Sequence, residues 1–126
     1  TLPVIPDSFF VIVAHNRRYP FFLELDRATM QLGRFQDKIR AYEAYYTTGK
    51  YEKRYGMKSI RILTVVATPS GGEKRVESLR KVTEAITDAN LFLFATLNTL
   101  TPETILSVPL WYQVGNEELK TLVRWS

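Results

Sequence analysis

Glu24 and Asp26 stand two residues apart in YPFFLELD, a stretch otherwise rich in large apolar side chains. Side chains at that spacing on a strand project from one face, so two carboxylates would sit side by side and repel. If the chain turns around His15 to Arg18, opposed residues sum to about 33 or 34. Asp7 would then lie across from Asp26 or Arg27 and diagonally beside Glu24, and three acids would share one end of a sheet. Such a set needs either a hard divalent cation or neighbouring Lys and Arg. All-oxygen ligands favour Mg²⁺ or Mn²⁺, and such an ion would lower the pKa of a bound water. The other reading makes Asp7 a turn residue after Pro6 and pairs Glu24 and Asp26 with Arg27, Arg34 or Lys38 on a solvated face. The residue pattern leaves both open.

Few other chemistries are available. The chain has no Cys, which removes disulfides, thiolate metal sites and cysteine nucleophiles and fits a reducing, cytoplasmic compartment. Its single His, His15, falls in the expected hairpin turn, away from the acids. No GxGxxG or GxxxxGK[ST] loop is present.

A second group of residues carries charge rather than catalysis. GKYEKRYGMKSIR brings Lys50, Lys53, Arg54, Lys58 and Arg61 together with Tyr51 and Tyr55. Phosphate contacts combined with ring stacking would make this a DNA-tracking loop; otherwise it is a solvated connection. The net charge of +4 is unevenly spread, with 15 of the 17 Lys and Arg but only 8 of the 13 Asp and Glu in residues 1–81. A basic lobe of this kind suits a polyanion. Arg75, Arg80 and Lys81, balanced by Glu73, Glu77 and Glu84, read as an exposed helix face with ion pairs.

The elements that position these residues follow from periodicity. SFFVIVA (Ser8 to Ala14) and YPFFLELD (Tyr19 to Asp26) predict an antiparallel hairpin. Phe35, Ile39, Tyr42 and Tyr46 form the stripe of a helix from Met30 to about Tyr46, capped by Thr29 and stopped by Gly49. SIRILTVVAT (Ser59 to Thr68) is a third strand. After the break at Pro69 to Gly72, a second helix runs from Glu73 to Ala89 with Val76, Leu79, Thr83 and Ile86 on one face. LFLFATL (Leu91 to Leu97) is a fourth strand. A short helix from Thr101 to about Ser107 and an edge strand in PLWYQV follow, with Trp111 and Trp125 as packing anchors or as contacts to a missing segment or a second subunit.

The order β-β-α-β-α-β is that of an α/β fold, a mixed central sheet whose faces are covered by helices, with a small C-terminal α/β appendage. At 126 residues and 45% hydrophobic content the chain is one domain, 1–126, with no apolar run that could span a membrane. It starts with Thr and enters a strand almost at once, as a fragment of a longer protein would.

Pro6-Asp7, the hairpin to Glu24-Leu25-Asp26, and the following helix, strand, helix and strand resemble the PD-(D/E)XK nuclease-like core. Within it, FFLELDRATM followed by DKIRAYEAYY looks like the replication-relaxation family of plasmid and mobile-element proteins, over roughly residues 7 to 97. The resemblance implies a restriction-endonuclease-like sheet, a metal held by Asp7 and Glu24, DNA as partner, and an upstream winged-helix-like segment. It also implies a lysine two residues after Glu24, where this chain has Asp26. Lys38 is the candidate replacement, at the border of the helical stripe about 60° from Phe35, on the edge shared by Gln31 and Tyr42. A lysine at the rim of a helix is more often a solvated side chain snorkelling over a tyrosine.

Three functions are consistent with these residues. The first is Mg²⁺- or Mn²⁺-dependent DNA cleavage using Asp7, Glu24, Asp26 and Lys38 in a replication or mobilisation protein. The second is a degenerate DNA-binding or protein-interaction module whose acids pair with Arg and Lys. The third is a homodimerisation domain, favoured if the Trp-bearing tail is an exposed apolar patch.

Overall fold

The structure, a computed structural model, describes residues 5–123. Five strands form one mixed sheet in the order β1-β2-β3-β4-β5, with three α-helices in the connections. β1 (Ser8–Ala14) and β2 (Arg17–Asp26) are the antiparallel hairpin. β2 is parallel to β3 (Arg61–Val66), and β3 to β4 (Phe92–Thr96). A two-residue β5 (Tyr112–Gln113) closes the far edge antiparallel to β4, and Trp111 bridges to Lys120 beside it.

The hairpin turn is tighter than its polar residues advertise. His15 and Asn16 both take positive φ, 52° and 62°, and form a two-residue connection whose twist matches that of the strands. Ser8 therefore faces Leu23, and each opposed pair sums to 31 rather than the expected 33 or 34. Asp7, one step further, comes level with Glu24 instead of Asp26.

The two parallel crossovers step the same way across the sheet. β2 leads to β3 through α1 (Leu32–Thr47) and α2 (Lys50–Tyr55), and β3 leads to β4 through α3 (Glu73–Ile86). Crossovers of one hand moving in one direction put their helices on one side. Phe22, Ile62, Val66, Phe92 and Phe94 of the sheet meet Phe35, Ile39, Tyr42, Tyr51, Val76 and Leu79 of the helices in a single core. The expectation of helices on both faces thus gives way to helices on one. The other face is covered by the C-terminal segment, whose Trp111, Leu122 and Val123 pack on Phe21, Leu63, Val65 and Leu93.

Several element ends move for local reasons. α1 starts at Leu32, not Met30, because the Asp26 carboxylate accepts the Ala28 N–H at 3.2 Å and Ala28 takes φ 62°, making residues 26–28 a turn. Thr29 therefore caps nothing, and Gln31 is the N-cap. The basic connection contains the short helix α2, entered through Gly49 at φ 78° and left through Gly56 at φ 70°. Residues 101–107 form successive turns rather than a helix, with the Thr104 hydroxyl taking up the Thr101 N–H at 3.2 Å. Trp111 is fully buried and donates its Nε1–H to the Ile105 carbonyl at 3.1 Å, so it is a packing anchor and not part of an exposed patch. Trp125 lies outside the described residues. Among the described residues no helix is long and apolar enough to cross a membrane.

Gly72 is required where β3 hands over to α3. Its φ is 96°, and a Cβ there would stand 2.7 Å from Val66 Cγ1, so both backbone conformation and space exclude a side chain.

Candidate functional site

The C-terminal end of β2 carries the acids. Even-numbered residues of β2 face the helices, which turns Glu24 and Asp26 inward with Phe22 and leaves Leu25 exposed. Both carboxylates are buried, Glu24 to 5% exposure and Asp26 to 7%, a cost that only paired charges and hydrogen bonds can offset.

Each acid has its own partners. Lys38 and Tyr42 stand one helical turn apart on α1 and both reach Glu24, the ammonium to Oε1 and the phenol to Oε2. Asp26 is gripped by Arg75 of α3, with Nε 2.9 Å from Oδ2 and Nη2 3.0 Å from Oδ1. This is the fork geometry for which Arg rather than Lys is suited. The same Nη2 also donates to the Met30 carbonyl at 2.7 Å, tying the turn before α1 into the network. Asp7 is exposed, and its Oδ2 accepts the Leu25 N–H at 2.8 Å across the hairpin.

The electrostatics follow from this pairing. Burial, then the hydrogen bond to Glu24, then the charges of Glu24 and Asp7 hold the Tyr42 phenol well above the ordinary tyrosine range. The hydrogen bonds to Asp26 raise Arg75 further, against its own desolvation. Arg75 therefore stays a cation.

A divalent ion fits these residues poorly. Among the described residues no three His, Cys, Asp or Glu side chains come together in a way that could hold a metal. Glu24 and Asp26 already spend their oxygens on Lys38, Tyr42, Arg75 and the Ala28 N–H. The geometry brings Glu24 and Lys38 together and leaves Asp7 in the bend just before the neighbouring strand β1; it joins Asp26 to a different helix. Lys38 lies on α1 over β2 and pairs with Glu24. Arg75 has a role that its helix-face neighbours conceal in the sequence: Arg80 to Glu84 at 3.8 Å and Lys81 to Glu77 at 3.1 Å are the anticipated ion pairs, whereas Arg75 turns inward. Only the pairing of Asp26 with Val66 in the sheet, which puts the start of α3 beside the end of β2, reveals it.

The basic residues gather at the opposite end. Since β2 and β3 are parallel, Arg17 and Arg18 at the start of β2 neighbour the approach to β3, which carries Lys58 and Arg61. Lys50, Lys53, Arg54 and Lys58 are all exposed, with Glu52 the one acid among residues 50–58. From Arg18 to Glu24 is six residues of strand, about 20 Å. Tyr51 and Tyr55 are not free to stack on bases. Tyr51 is buried with its hydroxyl on the Ser59 carbonyl at 3.1 Å, and Tyr55 stacks on Phe9 with ring centres 4.5 Å apart. α2 thus displays cations outward because its rings hold it to the sheet. Burial and the neighbouring tyrosines push the Tyr51 phenol up to about 12.

No curated protein and no solved structure matches the chain significantly. Residues 1–59, which take in the hairpin, α1 and α2 and so bear Glu24, Lys38 and the basic segment, match the model of the replication-relaxation family, and it is to that family that this part of the chain is similar.

Proposed function

We propose that this domain is a nucleic-acid-binding module of a protein with a replication- or mobilisation-related role, and that its acids hold the fold together. The reading is carried by the separation of charges. Arg17, Arg18, Lys50, Lys53, Arg54 and Lys58 are exposed around one end of the sheet, while the buried acids at the other are satisfied by Lys38, Tyr42 and Arg75. The family match supports the replication-related part. DNA is the partner that the basic end suits, because each phosphate neutralised releases condensed counterions.

The test is a titration of fluorescently labelled DNA at several salt concentrations, comparing the domain with Lys53→Ala/Arg54→Ala. Log affinity falls linearly with log salt, and the double variant binds more weakly, with a slope shallower by about 1 for each phosphate it no longer neutralises. Absence of binding at low salt overturns the reading.

One observation favours a second reading, metal-dependent cleavage on a PD-(D/E)XK-like core: Lys38 meets Glu24, as a migrated lysine should. That reading requires Mg²⁺ or Mn²⁺ to displace Lys38 and Arg75 from Glu24 and Asp26. Metal-dependent nicking that disappears in Glu24→Ala would establish it.

A further inference from the structure

β1 is the outer strand of the sheet, and among the described residues no strand lies along its free side. Edge strands are ordinarily blunted by a charge, a Pro or a bulge. SFFVIVA contains neither charge nor Pro, and it pairs with β2 residue for residue from Ser8 to Ala14. The opposite edge differs, being closed by the two-residue β5. Ile5 and Val13, near the two ends of β1, are 75% and 70% exposed, more than any other large apolar side chain among the described residues.

The hairpin fixes which backbone groups point outward. Ala14 and Arg17 close the two-residue turn, and hydrogen-bonded pairs alternate along an antiparallel ladder. Even-numbered residues of β1 therefore bond β2, and the N–H and C=O groups of Phe9, Val11 and Val13 point away from it. Pro20, which has no N–H, stands opposite Val11, a position that demands none on that side. The Asp7 N–H turns back to the Leu23 carbonyl at 3.0 Å, so the open edge ends there.

We propose that β1 pairs antiparallel with β1 of a second copy of this chain, about a twofold axis through Val11. The inference stands apart from the nucleic-acid reading. Two five-stranded sheets would join into one, with the helices of both copies on the same side. This register uses the whole strand and lets every outward backbone group bond: Val11 meets itself and Phe9 meets Val13, each pair exchanging two hydrogen bonds. The side chains agree with it. Phe9 and Val13 share the helix-facing side, so the exposed Val13 is covered by a ring, and Phe10 meets Ile12 on the other side. Charge selects the same arrangement. Asp7, the exposed acid just before β1, comes level with the hairpin turn of the second copy, where Arg17 and Arg18 are exposed, and the twofold repeats this contact at the other end. One acid against two arginines leaves each turn basic.

The test is sedimentation equilibrium of the 126-residue chain over a range of concentrations. A mass rising to twice the 14.6 kDa of one chain is expected. Val13→Lys should weaken association by about tenfold or more while leaving the circular dichroism of the folded chain unchanged, because Val13 is exposed in the single copy. Register is read from cysteine, which the chain lacks. Val11→Cys should form a disulfide-linked dimer on mild oxidation, its two copies meeting at about 5.5 Å between Cα atoms, and Val13→Cys, which faces Phe9, should not. A mass that stays at one chain overturns the inference and leaves the edge to a strand of a different protein. A dimer indifferent to Val13→Lys, or one linked through Val13→Cys and not Val11→Cys, overturns it as well.

Discussion

Asp26 and Arg75, 49 residues apart in the chain, are joined by two hydrogen bonds, and through Met30 the same guanidinium also fixes the turn before α1. One side chain of α3 therefore sets both the end of β2 and the start of the next helix. Removing it strands a buried carboxylate. Arg75→Ala should cost about 3–5 kcal/mol in urea unfolding, and Arg75→Lys should recover only part of that because an ammonium cannot reproduce the fork. A cost below about 1 kcal/mol would place the pair among weak surface bridges.

Glu24 should behave as a structural acid. Glu24→Ala leaves the Tyr42 hydroxyl without its partner, at a cost of about 1–3 kcal/mol. Thermal unfolding with Mn²⁺ or Mg²⁺ should give the same midpoint as without metal, for the unmodified domain and for the variant. Binding to the native state alone would add about 2.7 kcal/mol at a hundredfold excess over the dissociation constant, so a metal-dependent rise abolished by Glu24→Ala would establish a carboxylate metal site and revive cleavage.

Alkaline pH should weaken the fold. Tyr42, Tyr45 and Tyr51 are all raised, each first by burial, so the folded state keeps protons that the unfolded chain releases near pH 10. Stability from these groups is complete below pH 10 and falls as pH rises from there, through about 12 for Tyr51. Thermal midpoints measured from pH 8 upward should decline beyond about pH 10, and more gently in Tyr42→Phe.

Gly72→Ala should destabilise by about 1–3 kcal/mol, since it imposes an unfavourable backbone conformation and a clash with Val66. Gly33→Ala makes the comparison, because nothing lies within 4 Å of the Cβ it would add and it sits in a helix. It should stabilise the fold by up to about 1 kcal/mol. Two midpoints moving in opposite directions would distinguish required from incidental glycine.

Much of this was legible in the sequence wherever burial is one-sided. The stripes Phe35-Ile39-Tyr42 and Val76-Leu79-Thr83 are the buried faces of α1 and α3, and the meeting of Glu24 with Lys38 follows from a helix laid over a strand. Tyr46, the last residue of the first stripe, is 36% exposed because the helix ends just beyond it. What stayed hidden depended on register and side. Positive φ at His15 and Asn16 shortened the turn and moved Asp7 from Asp26 to Glu24. The partner of Asp26 needed the parallel alignment of β2 with β3, which no local pattern encodes. Tyr51, which reads as a ring among exposed cations, is core because α2 folds back on Phe22.

β1 contains no charged residue, and its SFFVIVA offers apolar groups to both faces of the sheet. Alternation of polar and apolar side chains, the usual guard against a strand turning over, is therefore missing from this strand. The length of the His15-Asn16 connection takes over that task. An insertion of one residue there would leave β2 where β3 holds it and invert β1, carrying Phe9 off Tyr55 and Asp7 off the Leu25 amide. Surface turns ordinarily tolerate changes in length. In this domain the shortest one stores the information that tells an otherwise two-faced strand which way is in.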